Sequence, residues 1–557
     1  MQAKSINADI AVAEQINASD LSAIAAQGFR SIICNRPDGE SADQPSFAEI
    51  EAAARAAGLP ATFQPVVSGK ITDEDAAAFG KLIDELPKPI LAYCRTGTRS
   101  ATLWSLAQGA KGTAVADILS ATKAAGYDMS GVVGRIANSG QTTLNVADSS
   151  HDIVIVGGGA AGIAVASSLK ARKGDLDIAI IDPADMHYYQ PGWTMVGAGV
   201  FEAATTARTM ASLIPNGVHW IKAAVAAFEP EKNSVILDGG RTVTYKKLIV
   251  APGIKLNWSG IEGLVETLGR NGVTSNYRFD LAPYTWELVQ GLKKGRAVFT
   301  QPPMPIKCAG APQKALYLSG DHWYKNGALK DIEIDFYNAG PVLFAVKDYV
   351  PALMEYIERY QAKLHFQNRL VKIDGPAKKA WFVKTDADGA TSTVETDFDM
   401  IHVVPPQIAP DFIRVSPLAD AAGWIDVDPA TLRHKTLQDV YALGDACNTT
   451  NAKTAAAARK QAPVVAHNLL KDLGAVSGGD AIYDGYGSCP LTVERGKIVL
   501  AEFGYGGKLL PTFPTWLING QRPSNLAWLL KERILPPLYW HGMLKGREPL
   551  AKPELLG

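Results

Sequence analysis

The sequence predicts a multidomain α/β protein, in which a small α/β domain precedes two Rossmann-like dinucleotide-binding domains and a C-terminal amphipathic helical tail. Three observations predict this. Short β-branched runs alternate with helical patterns up to about residue 138, a glycine-rich strand-turn-helix follows, and another strand–helix series lies between residues 265 and 385. Because 557 residues are too many for one ordinary domain, we expect three or four structural units.

The predicted domain boundaries follow changes of pattern along the chain. They are 1–138 for the front domain, 139–150 for a polar linker, 151–264 for the first part of a dinucleotide-binding domain, 265–385 for a second Rossmann-like domain, 386–505 for the second part of the dinucleotide-binding domain with a cysteine-bearing helix, and 506–557 for the tail.

Composition and charge exclude several classes of protein. The net charge of -1, the pI near 6.8 and the scattered Lys and Arg residues give no signature of nucleic-acid binding. The five cysteines are too few and too widely spaced for a secreted disulfide scaffold, and none forms a CxxC pair, so no metal site is predicted. The first residues lack the basic start and apolar core of a secretory signal, so we expect a cytoplasmic protein.

The segment HDIVIVGGGAAGIAVASSLKAR predicts a buried strand, a tight turn and a helix. Its glycines stand in G-x-G-x-x-G register, which lets the N–H groups of the helix start approach a pyrophosphate. The next strand, DIAIID, ends at Asp182, where an acidic partner for a ribose hydroxyl belongs. The candidate phosphate-binding residues are Gly157, Gly159, Ala160, Ala161 and Gly162.

Two later segments, YKKLIVAPG and LQDVYALGDA, also predict a strand followed by a turn. The central segment 265–385 should form the second nucleotide-like fold. After RAVFTQPP, however, the chain runs into Cys308 without a glycine fingerprint. The phosphate cradle for a nicotinamide nucleotide is therefore missing, and we expect a different electron donor.

Five separated segments in order resemble the sulfide:quinone oxidoreductases, specifically the branch that includes the mitochondrial enzyme. They are HYYQPGWTMVGAG, PIKCAGAPQKALYLS, HVVPPQIAPDFI, GDACNTTNAKTAAAARKQ and YDGYGSCPLTVERGKIVLAEFGY, within a resemblance that spans about residues 150 to 545. This resemblance implies a flavoprotein of the disulfide reductase type, with FAD as cofactor and an aspartate on the ribityl chain. The candidate cofactor-binding residues in these later segments are Gln190, Pro252, Gly253, Gly444, Asp445 and Lys453.

In that family two cysteines beside the flavin form a disulfide or a sulfur-bridged pair, and the positions matched to them here are Cys308 and Cys447. Cys447 should lie near a helix start, which favours the thiolate. Lys314 and Lys453 are close in sequence and can favour anionic sulfur, whereas Cys489 is expected to be structural.

The implied reaction has small-molecule partners. Hydrosulfide attacks the cysteine pair and leaves a persulfide, whose outer sulfur passes to a low-molecular-weight thiol or to sulfite. The two electrons pass through FAD to a quinone. The sequence leaves a homo-oligomer open.

The tail beyond residue 510 mixes aromatic residues with Lys and Arg. Its candidate interfacial aromatics are Trp516, Trp528, Tyr539 and Trp540. No apolar run reaches the ~18 residues that a spanning helix needs. We expect this tail to lie on the inner face of the cell membrane, where a quinone would be met, with packing onto the protein core as the alternative.

The front domain contains PILAYCRTGTRSATLW, which places Cys94 at a strand end before a loop that opens a helix. The loop N–H groups, with Arg95 and Arg99, are expected to hold Cys94 as a thiolate and to bind an anion. The segment CRTGTR resembles a rhodanese active loop, and residues 5–130 resemble a phosphatase-like sulfurtransferase family. This resemblance implies persulfide transfer at Cys94.

Two other functions remain open at this point. An NADH:quinone-type flavin oxidoreductase would share the dinucleotide-binding folds. A phosphatase-like signalling protein with a redox-sensing flavin module would use Cys94 on a phosphate ester instead of a persulfide.

Overall fold

The computed structural model describes residues 2–142 and 149–556, so residues 143–148 of the predicted linker 139–150 lie outside the described residues. The chain divides into two compact units. One contains residues 1–151, 223–245 and 411–419, and the other contains 152–222, 246–410 and 420–557. Both mix helices with strands, which confirms the predicted α/β class.

The first unit is built on a sheet whose inner strands pair in parallel. The strand order is Lys4–Ser5, Ile10–Ala13, Ile90–Tyr93, Ser31–Cys34 and Ala61–Phe63. The helices are Leu21–Ala26, Phe47–Ala56, Asp73–Glu85, Thr98–Ala110, Val115–Ala124, Val133–Ala137 and Asp411–Arg414. The wholly buried strand Ile90–Tyr93 leads into the loop that carries Cys94. A hairpin of Val225–Glu229 and Ser234–Leu237 belongs to this unit, which therefore extends beyond the predicted 1–138.

The second unit begins with the predicted dinucleotide-binding fold. Its sheet contains, in order, Val218–Ile221, Ile178–Ile181, Ser149–Val156, Thr242–Val250 and Val440–Ala442. The helices Ala160–Arg172 and Ala455–Asp472 pack against each other. The buried apolar runs IVIV, IAII and LIV in its three central strands are typical of parallel strands covered on both faces.

The second nucleotide-like fold has a parallel sheet in the order Val273–Thr274, Met400–His402, Gly295–Gln301, Ile332–Asn338 and Lys363–Phe366. Antiparallel strands Asn368–Asp374, Lys379–Thr385 and Thr391–Asp397 follow it. The helices are Leu264–Thr267, Ala282–Gly291, Ala311–Asn326 and Val350–Arg359. Because Met400–His402 pairs with Gly295–Gln301, this fold extends past the predicted boundary at 385.

Short strand pairs and a hairpin complete the second unit. The pairs are Met186–Tyr188 with Ala207–Thr209, Lys255–Leu256 with Gln407–Ile408, and Ala481–Ile482 with Glu554–Leu555. The hairpin is Gly487–Glu494 with Lys497–Phe503. The tail then forms Asn525–Leu529, the π-helical turns Leu530–Ile534 and Leu538–Gly542, and the short helix Leu535–Pro537 between them.

The tail aromatics require a correction to the sequence-based prediction. Trp516 is 84% exposed, as an interfacial residue should be, but Trp528, Tyr539 and Trp540 are buried. The Tyr539 hydroxyl forms a hydrogen bond of 2.6 Å with His187 Nε2. Three of the four aromatics therefore pack inside the second unit, because large rings gain more from burial there than from exposure.

The end of the tail is also bound to the helix Ala160–Arg172, which opens with the glycine turn. Both carboxylate oxygens of Glu548 accept hydrogen bonds from Arg172 at 2.8 Å, and one also accepts from Ser168 Oγ at 2.6 Å. Ser167 Oγ donates to the carbonyl of Leu544 at 2.9 Å. Among the described residues, no helix is both long enough and apolar enough to cross a membrane.

Candidate active site

The glycine turn has the geometry of a phosphate cradle. Gly157 has φ 102°, and a Cβ on Gly162 would lie only 1.8 Å from the Gly157 carbonyl oxygen, so both positions need glycine. Gly159 is the N-cap of the helix, which begins with Ala160 and Ala161. The first N–H groups of this helix have no partner within the helix. Such N–H groups and the helix dipole favour an anionic group.

The residues expected to hold the rest of a dinucleotide surround this turn. Asp182 accepts a hydrogen bond from the Gly158 N–H at 2.6 Å, at the end of its strand. Pro252 and Gly253 follow the strand Thr242–Val250, and Gly444 and Asp445 follow Val440–Ala442. All of them lie beyond the carboxyl ends of parallel strands, where ligands of this fold class bind.

A cluster of charged side chains connects this sheet to Cys308. Lys307 Nζ donates to Gln190 Oε1 at 2.6 Å, and the Cys308 N–H donates to the Lys453 carbonyl oxygen at 2.8 Å. Burial raises the pKa of Asp445, lowers that of Lys453, and lowers the pKa of Lys307 to about 8. The two lysines also oppose the rise in the pKa of Asp445, so the three side chains lie close together in the second unit.

Two glutamines test whether a flavin fits here. Gln407 Oε1 accepts from the Lys307 N–H at 2.8 Å, and Gln461 Oε1 accepts from the Gly444 N–H at 2.8 Å. The Nε2 atom of each glutamine is buried and has no hydrogen-bond partner among the described residues. Because buried N–H donors are rarely left unpaired, a ligand with acceptor oxygens and nitrogens, such as a flavin with its ribityl chain, fits these positions.

Cys308 lies beside Cys489. The two sulfurs are 3.7 Å apart, and Cys308 has φ 52°, in the left-handed region that few residues other than glycine adopt. Such conformations cluster at functional sites. A Cβ at Gly310 would lie 2.5 Å from both the Cys489 sulfur and a Leu491 methyl, so the glycine allows the loop and the hairpin to approach.

Two lysines set the charge at this pair. Lys314, which is 3% exposed, donates to the Cys308 sulfur at 3.0 Å. The hydrogen bond with Cys489 and the Lys314 ammonium hold the pKa of Cys308 well below its usual range, while the same hydrogen bond and burial raise the pKa of Cys489. Burial, followed by repulsion from Lys314, lowers the pKa of Lys531, a buried tail residue, to about 7. Of the two thiols, Cys308 is therefore the one whose pKa is lowered.

The structure brings Cys489 beside Cys308, whereas the sequence analysis matched Cys447 to that place. No contact joins the sulfurs of Cys308 and Cys447 in the part of the chain that the structure describes. Cys447 is fully buried, and burial raises the pKa of its thiol to about 12, which disfavours the thiolate. Lys453 Nζ donates to the Cys447 carbonyl oxygen at 2.7 Å rather than to its sulfur.

Sequence reasoning missed Cys489 and Lys531 for the same reason. Each lies about two hundred residues from Cys308 along the chain and carries no local motif of its own. One signal was present: the segment YGSCPL, which is part of the family resemblance, contains Cys489.

The first unit has a separate candidate site at Cys94. The Cys94 side chain is buried, and its sulfur accepts a hydrogen bond from the Gly97 N–H at 3.2 Å. Gly97 has φ 87° and caps the helix Thr98–Ala110. A Cβ there would lie 2.1 Å from the hydroxyl of Tyr127, which closes over the loop. One N–H group of the loop therefore reaches the sulfur.

The two arginines of this loop have different positions from those expected. Arg95 is exposed, whereas Arg99 is buried and donates to the Asn35 carbonyl oxygen at 3.0 Å and to Glu40 at 2.7 Å. Arg99 Nε is buried without a partner among the described residues. Arg99 therefore ties the loop to Glu40 and to the Asn35 carbonyl, and its Nε–H is a buried donor that an anion could use.

Comparison with known proteins adds family information. A family model described as pyridine nucleotide-disulphide oxidoreductase matches residues 151–285, and one described as the phosphatase-like domain of beta-lactamase hydrolase-like protein matches residues 2–111. The Beta-lactamase hydrolase-like protein of Agrobacterium fabrum is 38% identical over 130 residues, which are 23% of this chain and 30% of that protein.

The second unit is similar to curated enzymes over most of their length. The mitochondrial sulfide:quinone oxidoreductase of Dictyostelium discoideum is 41% identical over 415 residues, covering 72% of this chain and 90% of the relative. That of Mus musculus is 38% identical over 399 residues, covering 71% and 87%.

A solved structure supports the fold. The sulfide:quinone oxidoreductase of Aquifex aeolicus has a TM-score of 0.59 at 18% identity, covering 71% of this chain and 92% of that one. Because the two curated relatives are this similar over nearly nine tenths or more of their length, the chain belongs to the sulfide:quinone oxidoreductase family.

Proposed function

We propose that the second unit oxidises sulfide and passes two electrons through FAD to a quinone, with Cys308 and Cys489 as its redox pair. The observation that carries this proposal is the 3.7 Å approach of the two sulfurs, with the Lys314 ammonium 3.0 Å from one of them. The family of the chain supports the reaction, and the unpaired donors of Gln407 near Lys307 and Gln461 near Gly444 support a bound flavin.

The oxidised pair is a disulfide, which requires the two sulfurs to close from 3.7 Å to about 2.05 Å. Hydrosulfide attacks the Cys489 sulfur, a new S–S bond forms there, and the bond to Cys308 breaks. Cys308 leaves because the thiol with the lower pKa is the better leaving group, and Lys314 stabilises the thiolate. The products are a Cys489 persulfide and a Cys308 thiolate.

A thiol or sulfite then attacks the outer sulfur of the persulfide and leaves Cys489 reduced. Re-forming the disulfide from the two cysteines removes two electrons and the remaining thiol proton. When bound, the flavin accepts these electrons and delivers them to the quinone. Lys531, with a pKa lowered to about 7, is poised to take up the proton from the pair.

The glycine turn, Asp182 and Asp445 would hold the FAD phosphates, ribose and ribityl chain respectively. Lys307 and Lys453 would contribute positive charge near its ring. A membrane surface is the proposed location of the enzyme, because the quinone resides there and the tail exposes Trp516. Attachment to the inner face of the cell membrane remains a proposal, as does the identity of the sulfur acceptor.

Single cysteine variants test the pair. Anaerobic sulfide should bleach the flavin of the wild-type protein within the mixing time of a stopped-flow experiment. Cys308→Ser and Cys489→Ser should each lose this bleaching by orders of magnitude and keep their flavin absorbance, because neither residue belongs to the phosphate cradle. Cys447→Ser is the matched control and should retain bleaching. Normal bleaching in Cys489→Ser would contradict the pairing.

A second activity is proposed for the first unit: transfer of a sulfane sulfur through a Cys94 persulfide. The buried Cys94 sulfur, which accepts the Gly97 N–H, suits a small sulfur species. A phosphate ester needs more donors, and two nitrogens of Arg99 are already bound to Asn35 and Glu40. Turnover of an aryl phosphate by Cys94, without sulfur transfer, would instead indicate the signalling alternative.

A further inference from the structure

A cavity of about 290 Å³ lies between the loop after Tyr188 and the tail of the second unit. Aromatic rings and prolines form its walls, among them Tyr189, Phe201, Pro536 and Trp540. The cysteine pair is not part of its lining. Its volume is at the low end for small-molecule sites, so it can hold the head of an amphiphile rather than a whole lipid.

Arg208 provides the positive charge of the cavity. Its guanidinium carbon lies 4.5 Å from the centre of the Trp540 ring, a cation–π contact. No hydrogen bond or ion pair engages its side chain among residues 2–142 and 149–556. The planar fork of donors, which fits phosphate oxygens two at a time, is therefore free to bind an anion.

Glu532 is the acidic residue of the lining, and its charge is already engaged. One carboxylate oxygen accepts from Trp528 Nε1 at 3.2 Å and lies 3.5 Å from Arg533 Nε. This carboxylate therefore opposes an anion near Arg208 less than a free one would. The charge of Arg208 then favours a ligand that is negatively charged.

The cavity lies beside an exposed stripe of the tail that carries two leucines together with Arg533. Pro537 and His541 line the cavity and are also exposed. Leu526, Leu529 and Arg533 precede them at intervals of three or four residues, as expected for one side of a helical segment, and both leucines are about half exposed. A ligand with a polar head in the cavity could therefore leave its apolar part along this stripe.

We propose that the cavity binds the headgroup of an acidic phospholipid. The phosphate binds Arg208, the glycerol packs on Trp540 and Pro536, and the acyl chains follow the leucine stripe into the bilayer. This site goes beyond the proposed reaction, although it uses the proposed contact with a membrane surface. Its function would be to fix the orientation of the tail on a negatively charged membrane.

Binding of a short-chain lipid to the full-length flavoprotein tests the site without a membrane. Dihexanoyl phosphatidylglycerol, kept below its micelle concentration, should bind saturably in isothermal titration calorimetry. Arg208→Gln should weaken binding at least about tenfold, because a charged hydrogen-bonding partner is lost. Arg208→Lys should recover part of the affinity, and the exposed Arg522→Gln is the matched control.

Several outcomes would overturn the proposal. If the wild type and Arg208→Gln bind the lipid equally well, the lipid binds at another place. If dihexanoyl phosphatidylcholine binds as tightly as dihexanoyl phosphatidylglycerol, the site does not require a net negative charge. Glycerol 3-phosphate binding as tightly as the lipid would indicate a free phosphate site. Competition by a short-tailed quinone would indicate a quinone site. Sulfide bleaching, measured on the same samples, reports the proposed reaction separately.

Discussion

Replacing Lys314 with Met should raise the pKa of Cys308 and slow its departure from the disulfide. The ammonium lies 3.0 Å from the sulfur and is almost completely buried. At that distance the gross Coulomb attraction is about 5 kcal/mol for an effective dielectric constant of about 20. Desolvation of the lysine offsets part of this attraction, so the net effect should resemble that of other close opposite charges, about 1–3 pKa units.

Such a change equals about 1–4 kcal/mol of thiolate stabilisation. In the wild type the thiolate should persist as the pH falls, because its pKa is depressed. In Lys314→Met the pKa of Cys308 should rise, since only the hydrogen bond with Cys489 and the charge of Lys531 then oppose the effect of burial. With a leaving group this much more basic, sulfide-dependent bleaching should slow on the order of tenfold.

The assay is site-resolved alkylation. The reduced protein is exposed to iodoacetamide at a series of pH values, and mass spectrometry follows the peptide that carries Cys308. Lys314→Arg keeps the charge and is the matched control. An unchanged alkylation profile in a folded, flavin-containing Lys314→Met would refute the reasoning, because the lysine would then contribute nothing to the thiolate.

The remaining predictions concern three other places in the chain. Lys531→Met should remove a step near pH 7 from the Cys308 alkylation profile, because Lys531 loses its charge as the pH rises through about 7. If the variant keeps this step, Lys531 does not cause it. Cys94→Ser should abolish thiosulfate- or persulfide-dependent sulfur transfer and spare flavin bleaching, and simultaneous loss of both activities would require sulfur to pass through Cys94. Glu548→Gln should loosen the tail from Arg172, which limited proteolysis would detect as faster cleavage after residue 510, whereas an unchanged digestion pattern would show that this ion pair does not hold the tail.

The tail contacts also alter what a truncation can test. Removing the chain beyond Thr512 would delete Lys531 from the cysteine pair and Tyr539 from its hydrogen bond with His187. His187 in turn contacts the Gly158 carbonyl at 3.2 Å, within the glycine turn. A truncated enzyme would therefore lose more than membrane contact, and point substitutions on the exposed stripe are the better probe.

The sequence by itself determined the features that depend on neighbouring residues. A tight turn before a helix requires glycines a few residues apart, so the register of Gly157, Gly159 and Gly162 predicted the turn and the helix start that the structure contains. The buried strand before Cys94 was recognisable for the same reason. The family resemblance covered most of the chain and correctly predicted its class and its family.

Only the tertiary structure decided which cysteine faces Cys308. The two sulfurs in contact are separated by 181 residues, and sequence spacing carries no distance information over such a length. Their approach depends on Gly310, which leaves room between a loop and a hairpin, and on Lys314, which stabilises one thiolate. The burial of Trp528 and Trp540 was likewise undetermined, because an amphipathic tail can cover a membrane or its own core, and the packing available around it selects between them.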